Sequence, residues 1–581
     1  MYLVATAGHV DHGKSTLVEA LTGTHPDRLA EERRRGLTID LGFAWTAPAA
    51  GPPTAFVDVP GHRRFVATML AGVGPVPAVL FVVAADEGMR AQSYEHLRAL
   101  DALRVQHGLL AVTRADLADP TAALAEARRA LAETTLAGIE AVPVSARTGT
   151  GLPELRAALH RATAALPPAD PGADVRLWVD RGFTIDGAGT VVTGTLQAGR
   201  LRVGDVLLRD DGTPVRVRGL HALGRAREEV AGTARVAVNL RGVDRADVHR
   251  GAALLTPGAW LPTAEVDVRH DPAGAPPREG VLHIGAAAVP ARWRPVGDGL
   301  ARLRLSRPLP LRTGDRALWR DPGTGAVVGV TVLDVRPRAL DRRHRAADRA
   351  AALGAAGSPP DGAALLALHG LLRAPTMRAM GVAPPGTPVA ADWHADAGTW
   401  AGLRDRLAAA VAAYAAAHPL HPAMPVEAAT TALALPDPAL AAALVAPPLA
   451  LREGRITAPG TALPPRVREA VATLLAPLAA TPFAAPDNDR LAALGLGSRE
   501  LAAAARAGLL LRLPGNVVLG PDAAGRAAAA LAGLPAAFTA SDARRAWGTT
   551  RRVAIPLLEH LDAAGVTVRV DTARRRLAAG A

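Results

Sequence analysis

The chain of 581 residues contains no cysteine, which removes disulfides and thiolate metal sites and fits a reducing compartment. It has almost no lysine: Lys14 stands alone among 66 basic residues, and the other 65 are arginine. Aromatic residues make up only 3 %, while Ala, Gly, Pro and Arg are heavily used. That bias looks like coding preference as much as physics, so alanine-rich runs are not read as low-complexity segments. No apolar run reaches the roughly 18 to 20 residues that a membrane helix requires. No signal peptide is visible, since Met1-Tyr2-Leu3-Val4 leads straight into a glycine-rich loop, and a cytoplasmic location is expected. What remains is a chain with enough apolar residues (49 %) for large cores and a formal net charge of +12. That charge favours an anionic partner, nucleic acid first, and also suits a merely basic soluble protein.

The length suggests about three to six domains. Residues 1–168 alternate short apolar runs (Leu3–Ala7, Ala55–Val59, Ala78–Ala84, Gly108–Val112, Ala141–Val144) with helix-length segments, the rhythm of a parallel α/β sheet. Pro167-Pro168-Ala169-Asp170-Pro171-Gly172 reads as a linker. Residues 173–260 and 261–338 carry short β runs with glycine turns, including Val281–Ile284, Gly299–Leu305 and Val327–Val335, and read as two small antiparallel barrels. Beyond about residue 340 the texture turns to Ala/Leu/Arg helices. Turns at Arg452-Glu453-Gly454, Leu513-Pro514-Gly515-Asn516 and Val570-Asp571-Thr572 recur there at intervals of about 60 residues, with a fainter copy near Pro388–Trp393. Helices closed by a hairpin at this spacing predict four α+β winged-helix domains, at 345–398, 399–461, 464–522 and 523–581. A single alanine-rich helical domain is the plainer alternative.

The one lysine lies in Gly8-His9-Val10-Asp11-His12-Gly13-Lys14-Ser15-Thr16, after a strand and at the start of a helix. That is the setting of a phosphate-binding loop, whose backbone N–H groups cradle a diphosphate. There Lys14 reaches the β- and γ-phosphates and Ser15 ligates Mg²⁺. A compact ammonium suits this place and a planar guanidinium does not. Asp58-Val59-Pro60-Gly61-His62 follows the next strand: Asp58 is placed to hold Mg²⁺ through water, and Gly61 frees an N–H for a γ-phosphate. Thr38, in Arg35-Gly36-Leu37-Thr38-Ile39-Asp40, supplies a second hydroxyl to the metal, while Arg33-Arg34-Arg35 reads equally well as a solvated surface. Thr113-Arg114-Ala115-Asp116 and Ser145-Ala146 each follow a strand. Asp116 is positioned to accept both guanine N1–H and N2–H₂, and the Ser145-Ala146 backbone to meet guanine O6. Each motif is weak alone; their order along the chain is strong.

Together GHVDHGKST, RRRGLTID and DVPGH resemble the translational GTPases of the elongation factor Tu class, and Val179–Thr195 looks like the second domain of that class. With the winged-helix half, the chain resembles the bacterial selenocysteine-specific elongation factors. The resemblance implies a P-loop GTPase domain, two β-barrels and a winged-helix array, acting as a monomer with GTP and Mg²⁺. It implies that His62 orients the attacking water, that Val10 and Leu37 gate that histidine, and that Thr38 closes over the metal in the GTP state. The family's N-K-x-D is altered here: Thr113 replaces Asn, Arg114 replaces Lys, and Asp116 remains. An acidic–basic pair with a further arginine surrounds the amino acid in those factors, and Asp180, Arg181 and Arg250 match these places, against the plainer reading of a surface salt bridge. Arg pairing suits a selenolate, which is anionic where the hydroxyl of serine is neutral. In the last module Arg551 and Arg552, then Arg544 and Arg545, are the candidates for RNA phosphates, with Trp547 as a stacking plane; residues 541–581 hold eight arginines against four acidic residues.

The expected activity is therefore delivery of selenocysteinyl-tRNA to the ribosome at UGA codons marked by an mRNA hairpin, with GTP hydrolysis on codon recognition. Two alternatives stand beside it: the GTPase subunit of a sulfate adenylyltransferase, which shares the first three domains, and a GTPase-switched regulator whose winged helices dock DNA.

Overall fold

A computed structural model describes the chain except residues 27–37, 39, 47–51, 63–65, 75, 188, 272–275, 341–342, 460–462 and 579–581. Arg33–Arg35, Gly36, Leu37, Ile39 and Ala188, singled out above, lie outside the described residues. The chain divides into two units, residues 1–388 with 392–396, and 389–391 with 397–581.

The first unit opens with a six-stranded sheet of β1 (Tyr2–Gly8), β2 (Gly42–Thr46), β3 (Thr54–Asp58), β4 (Ala78–Ala84), β5 (His107–Thr113) and β6 (Glu140–Pro143) in the order β2-β3-β1-β4-β5-β6. Its helices are α1 (Lys14–Thr22), α2 (Val66–Val73), α3 (Ala91–Ala102), α4 (Thr121–Leu131) and α5 (Leu152–Ala164). The alternation of side chains sends Leu3, Ala5, Ala7, Phe81 and Val83 into a core with α2, α3 and α4. Val4, Phe56, Leu80 and Val82 face a second core with α1 and α5. Covering both faces explains why the strands read as continuous apolar runs. The sheet is not wholly parallel: β2, unrecognised in the sequence, pairs antiparallel with β3, Gly42 opposite Asp58. Only five residues long and at the edge, β2 lacks the apolar run that marks the central strands. Because β3 and β4 flank β1 on opposite sides, the loop after β1 opens at the point where the chain changes direction across the sheet, a crevice suited to a ligand.

The next stretch forms a seven-stranded sheet that closes on itself through pairing of Val206–Arg209 with Pro214–Ala222. Strands between Pro262 and Asp334 form a second, six-stranded closed barrel. Helices Arg343–Ala355, Gly362–His369 and Ala374–Ala379 follow, with strand Leu371–Arg373 paired to Trp393–Ala395. A buried charge network joins this module to the second barrel. Arg302 donates to both Asp267 carboxylate oxygens (2.7 and 3.0 Å), and Arg349 bonds Asp267 (2.8 Å) and Asp334. Asp334 also meets His369 Nε2 at 2.9 Å.

The second unit repeats helices followed by a hairpin. Ala450–Arg452 pairs with Arg455–Thr457, Leu511–Leu513 with Val517–Leu519, and Thr567–Arg569 with Arg574–Leu577. Leu513, Val517 and Leu519 share one core with Phe538, Trp547, Leu557 and Leu561, so the last two modules are fused by common apolar packing. Among the described residues no helix is long and apolar enough to cross a membrane.

Candidate functional site

The loop between β1 and α1 is held from beneath and from the side. At Gly8 (φ +135°) an added Cβ would run into the Val82 carbonyl, so only glycine lets the loop leave the sheet here. The Gly8 N–H donates to His96 Nδ1 (3.0 Å) and the Val10 N–H to Gln92 Oε1 (3.0 Å). Gln92 and His96 stand four residues apart on α3, hence on one helix face. Burial pushes the His96 pKa down to about 3, with the Lys14 charge adding to the effect, so its imidazole stays neutral and able to accept. Burial likewise lowers His12 to about 4. Lys14, 6 % exposed, donates to the carbonyls of Gly8 (3.2 Å) and His9 (2.6 Å). A Cβ on Gly61 would lie 2.7 Å from Lys14 Nζ and 2.6 Å from Val10 N, which shows how closely the Asp58–His62 segment approaches the loop.

Three oxygen-bearing side chains converge beside it. Asp58, fully buried, accepts from Ser15 Oγ (2.6 Å) and Thr6 Oγ1 (2.6 Å), and Ser15 Oγ lies 3.1 Å from Thr38 Oγ1. Burial raises the Asp58 pKa, and the two hydroxyl donors oppose that rise. Two hydroxyls and a carboxylate form the hard oxygen set that suits Mg²⁺. His62, next in the chain after Gly61, is half-buried. Asp11, His9 and Thr16 complete the loop and the start of α1.

At the far end, Thr113 Oγ1 donates to the His12 carbonyl (2.7 Å), with the Val83 carbonyl at 3.3 Å, tying β5 to the loop. Arg114 does not lie free to stack along a base. Its backbone is left-handed (φ +55°), and its guanidinium bonds Asp86 (2.8 Å), Glu87 (2.9 Å) and the Asp11 carbonyl. Asp116 is exposed. The Ser145 N–H donates to the Thr150 carbonyl (2.9 Å) and its Oγ accepts from Thr148 N–H (3.1 Å), so Ser145 shapes the turn and the Ala146 amide is the better candidate to face guanine O6.

The expected trio on the first barrel is rearranged. Asp180 and Arg181 are neighbours in sequence but not partners: Arg181 turns to Asp40 and the Leu41 carbonyl. Asp180 pairs instead with both terminal nitrogens of Arg235 and accepts from Thr193 Oγ1 (2.8 Å). Arg235 lies with its guanidinium carbon 3.9 Å from the Phe43 ring centroid. Phe43, Trp45, Arg181, Phe183, Thr193, His221 and Arg235 line a cavity of about 260 Å³ between β2 and the barrel. Arg250 is outside it. It donates to the Asp180 carbonyl (2.7 Å), to Thr68 Oγ1 (3.1 Å) and to Asp40. Arg235 is thus the second arginine of the cavity; in the sequence it sits in an ordinary strand, Ala234–Arg241, with no motif to mark it. Gln92 and His96 were also missed, although two polar residues at helical spacing on a buried face were a usable signal.

The last module separates its four arginines. Arg544 and Arg545 fall in the final turn of helix Ala540–Ala546, where a cation also complements the helix dipole, and Arg545 pairs with Asp542 (2.5 Å). Arg551 and Arg552 begin helix Arg551–Ala563, and Arg552 bonds the carbonyls of Ala485 (3.2 Å) and Pro486 (3.0 Å). Trp547 is not a stacking plane: it is 5 % exposed, and its Nε1–H donates to the Ala527 carbonyl (3.1 Å).

Residues 1–165 match the family described as elongation factor Tu GTP binding domain, and residues 529–576 match elongation factor SelB, winged helix. The selenocysteine-specific elongation factor of Desulfomicrobium baculatum is 36 % identical over 373 residues, which cover 61 % of this chain and 59 % of that protein. Elongation factor Tu 2 of Streptomyces avermitilis is 33 % identical over 292 residues, covering 46 % of this chain and 75 % of that one. The crystal structure of a bacterial selenocysteine-specific elongation factor covers all of both chains with a TM-score of 0.78 at 25 % identity. The match spans a little under three fifths of the curated selenocysteine-specific relatives, 56 % to 59 % of their length. The chain belongs to the translational GTPases of the elongation factor Tu class and, within them, to the selenocysteine-specific elongation factors.

Proposed function

We propose that this protein binds and hydrolyses GTP to deliver selenocysteinyl-tRNA to the ribosome at UGA codons marked by an mRNA hairpin, as a cytoplasmic monomer. The observation that carries the reading is the cavity between β2 and the first barrel. It presents Arg181 and Arg235 beside the Phe43 ring, with Arg235 held in place by Asp180. Two guanidinium groups in a partly desolvated pocket favour an anionic selenolate over a neutral serine hydroxyl. The division into a GTPase domain, two barrels and four winged-helix domains near residues 168, 260, 338, 398, 461 and 522 is part of the same proposal.

In the nucleotide site, the amides from Gly8 to Thr16 receive the diphosphate and Lys14 faces its terminal phosphates. Ser15 and Thr38 would hold Mg²⁺ directly, and Asp58 would do so through water. When bound, the ion would supply the positive charge that the phosphates need. Gly61 presents its N–H, and His62 aligns the water that attacks. Asp116 selects guanine, and Arg114 acts as a strut between the guanine segment and the loop. Catalysis is then positioning and charge stabilisation, with no covalent intermediate on the protein. In the last module Arg544 and Arg551, with Arg545 and Arg552, contact the hairpin phosphates.

The test compares selenocysteinyl-tRNA with seryl-tRNA on the same tRNA body, using protein loaded with a GTP analogue. The expected outcome is a preference of at least about a hundredfold, because a neutral serine hydroxyl gains none of the charge-assisted hydrogen bonds that the two guanidinium groups offer a selenolate. Equal affinities overturn the pocket assignment. Failure to bind any UGA-adjacent hairpin overturns the role of the last module.

A further inference from the structure

Asp40 sits at a junction that the nucleotide site and the cavity share. One carboxylate oxygen accepts from Arg181 (2.7 Å), which also donates to the Leu41 carbonyl (3.0 Å), and the other accepts from Arg250. Arg250 makes three contacts with one side chain: it touches Asp40 before β2, Thr68 on α2 and the carbonyl of Asp180 on the barrel. Burial alone would raise the Asp40 pKa, but the two guanidinium groups outweigh it and hold the carboxyl below its ordinary range. Just upstream, Thr38 reaches Ser15. Just downstream, Leu41 is 4 % exposed in the main core and Gly42 is fixed in register with Asp58. Asp40 therefore lies between Thr38, which meets the Ser15 hydroxyl, and a stretch anchored in the core and the sheet.

We infer that Asp40, gripped by Arg181 and Arg250, is the positioning residue that transmits the nucleotide state to the aminoacyl cavity. The inference rests on the functional reading above. Two residues span at most about 7 Å of extended chain, so Thr38 cannot withdraw far from Ser15 without reorienting the peptide that carries Asp40. When it does, Arg181 loses its charged acceptor and keeps only the Leu41 carbonyl. At the same moment Arg250 loses one of the two GTPase-domain groups that dock the barrel. The cavity is formed from both domains, Phe43 and Trp45 on one side and Arg181 and Arg235 on the other, so loosening this joint opens it. Arg250 thereby acts outside the cavity, reading the segments on both sides of the γ-phosphate position.

The experiment uses the full chain and measures the dissociation constant of selenocysteinyl-tRNA with GDP and with a non-hydrolysable GTP analogue. The readout is the ratio of the two. Asp40→Asn is expected to lower that ratio about tenfold, mainly by weakening the GTP-analogue form. Asp40→Glu, which keeps the charge, restores most of the ratio. By reciprocity, selenocysteinyl-tRNA tightens the GTP analogue on Asp40→Asn about tenfold less than on the parent protein. Arg250→Gln attacks the joint from the barrel, and the double variant loses no more than the worse single one. An unchanged ratio in Asp40→Asn overturns the relay while the functional reading stands, as do additive losses in the double variant. A parent protein whose ratio is one overturns the functional reading and the relay with it.

Discussion

Two joints in the first unit use the same chemistry, arginine against aspartate between domains, and differ in burial. At the second barrel, Asp267 and Asp334 are 0 % exposed and are met by Arg302, Arg349 and His369. At the cavity, Asp40 is 26 % exposed and bridges Arg181 and Arg250, which are 32 % and 36 % exposed. A desolvated cluster is costly to take apart, because any partner removed leaves a buried charge behind. A half-solvated one exchanges partners with water at small cost. The first suits a fixed attachment of the following module to the barrel, and the second suits a contact that opens and closes.

The contrast is broken most directly at the buried joint. Asp267→Asn should destabilise the first unit by about 3–5 kcal/mol. Denaturation followed through Trp293 and Trp319, both in that barrel's core, measures it, and a change below about 1 kcal/mol would erase the distinction between the joints. Next comes the phosphate loop, where cation type rather than burial is at issue. Lys14→Arg should reduce kcat/KM for GTP by about a hundredfold, since a planar fork does not fit between two loop carbonyls and Gly61. Near-normal turnover would make the lone lysine an accident of composition. Asp40→Asn should cost at most about 1 kcal/mol in stability while changing nucleotide-coupled tRNA affinity about tenfold, which sharpens the comparison from its other side.

A third buried contact carries no charge and gives a pH signature. His96 is neutral in the fold, with its pKa lowered to about 3, so the unfolded chain takes up the proton first. Its contribution to stability is complete above about pH 6.5 and falls as the pH drops toward 3, by at most about 1.4 kcal/mol per pH unit. His96→Gln keeps an acceptor for the Gly8 N–H and should flatten that part of the pH–stability curve. The smallest effect belongs to Arg114→Lys. An ammonium still reaches Asp86, Glu87 or the Asp11 carbonyl, so GTP affinity should change by no more than about fivefold in an equilibrium titration.

Much of the nucleotide site was legible because it is local in sequence. Glycines at fixed offsets, a hydroxyl after the lysine and an aspartate at a strand end are demands of backbone geometry, and they hold wherever the loop occurs. The charged partners were not legible. Asp180 next to Arg181 reads as a pair until Arg181 is found on Asp40, and Arg235 reaches Asp180 from two strands away, across the strand Gly189–Leu196. Trp547 reads as a stacking plane until the core that fuses the last two modules closes over it.

By itself the sequence determined the alternation that builds a two-faced sheet, the loop that holds phosphates, the barrel turns and the hairpin repeat. Each depends on the period or spacing of neighbouring residues. Only the tertiary structure decided which aspartate meets which arginine and which of those pairs water reaches. In a chain with 65 arginines, every carboxylate has many eligible partners in sequence. Register, bulges and packing select among them, and burial then sets how strongly each chosen pair holds.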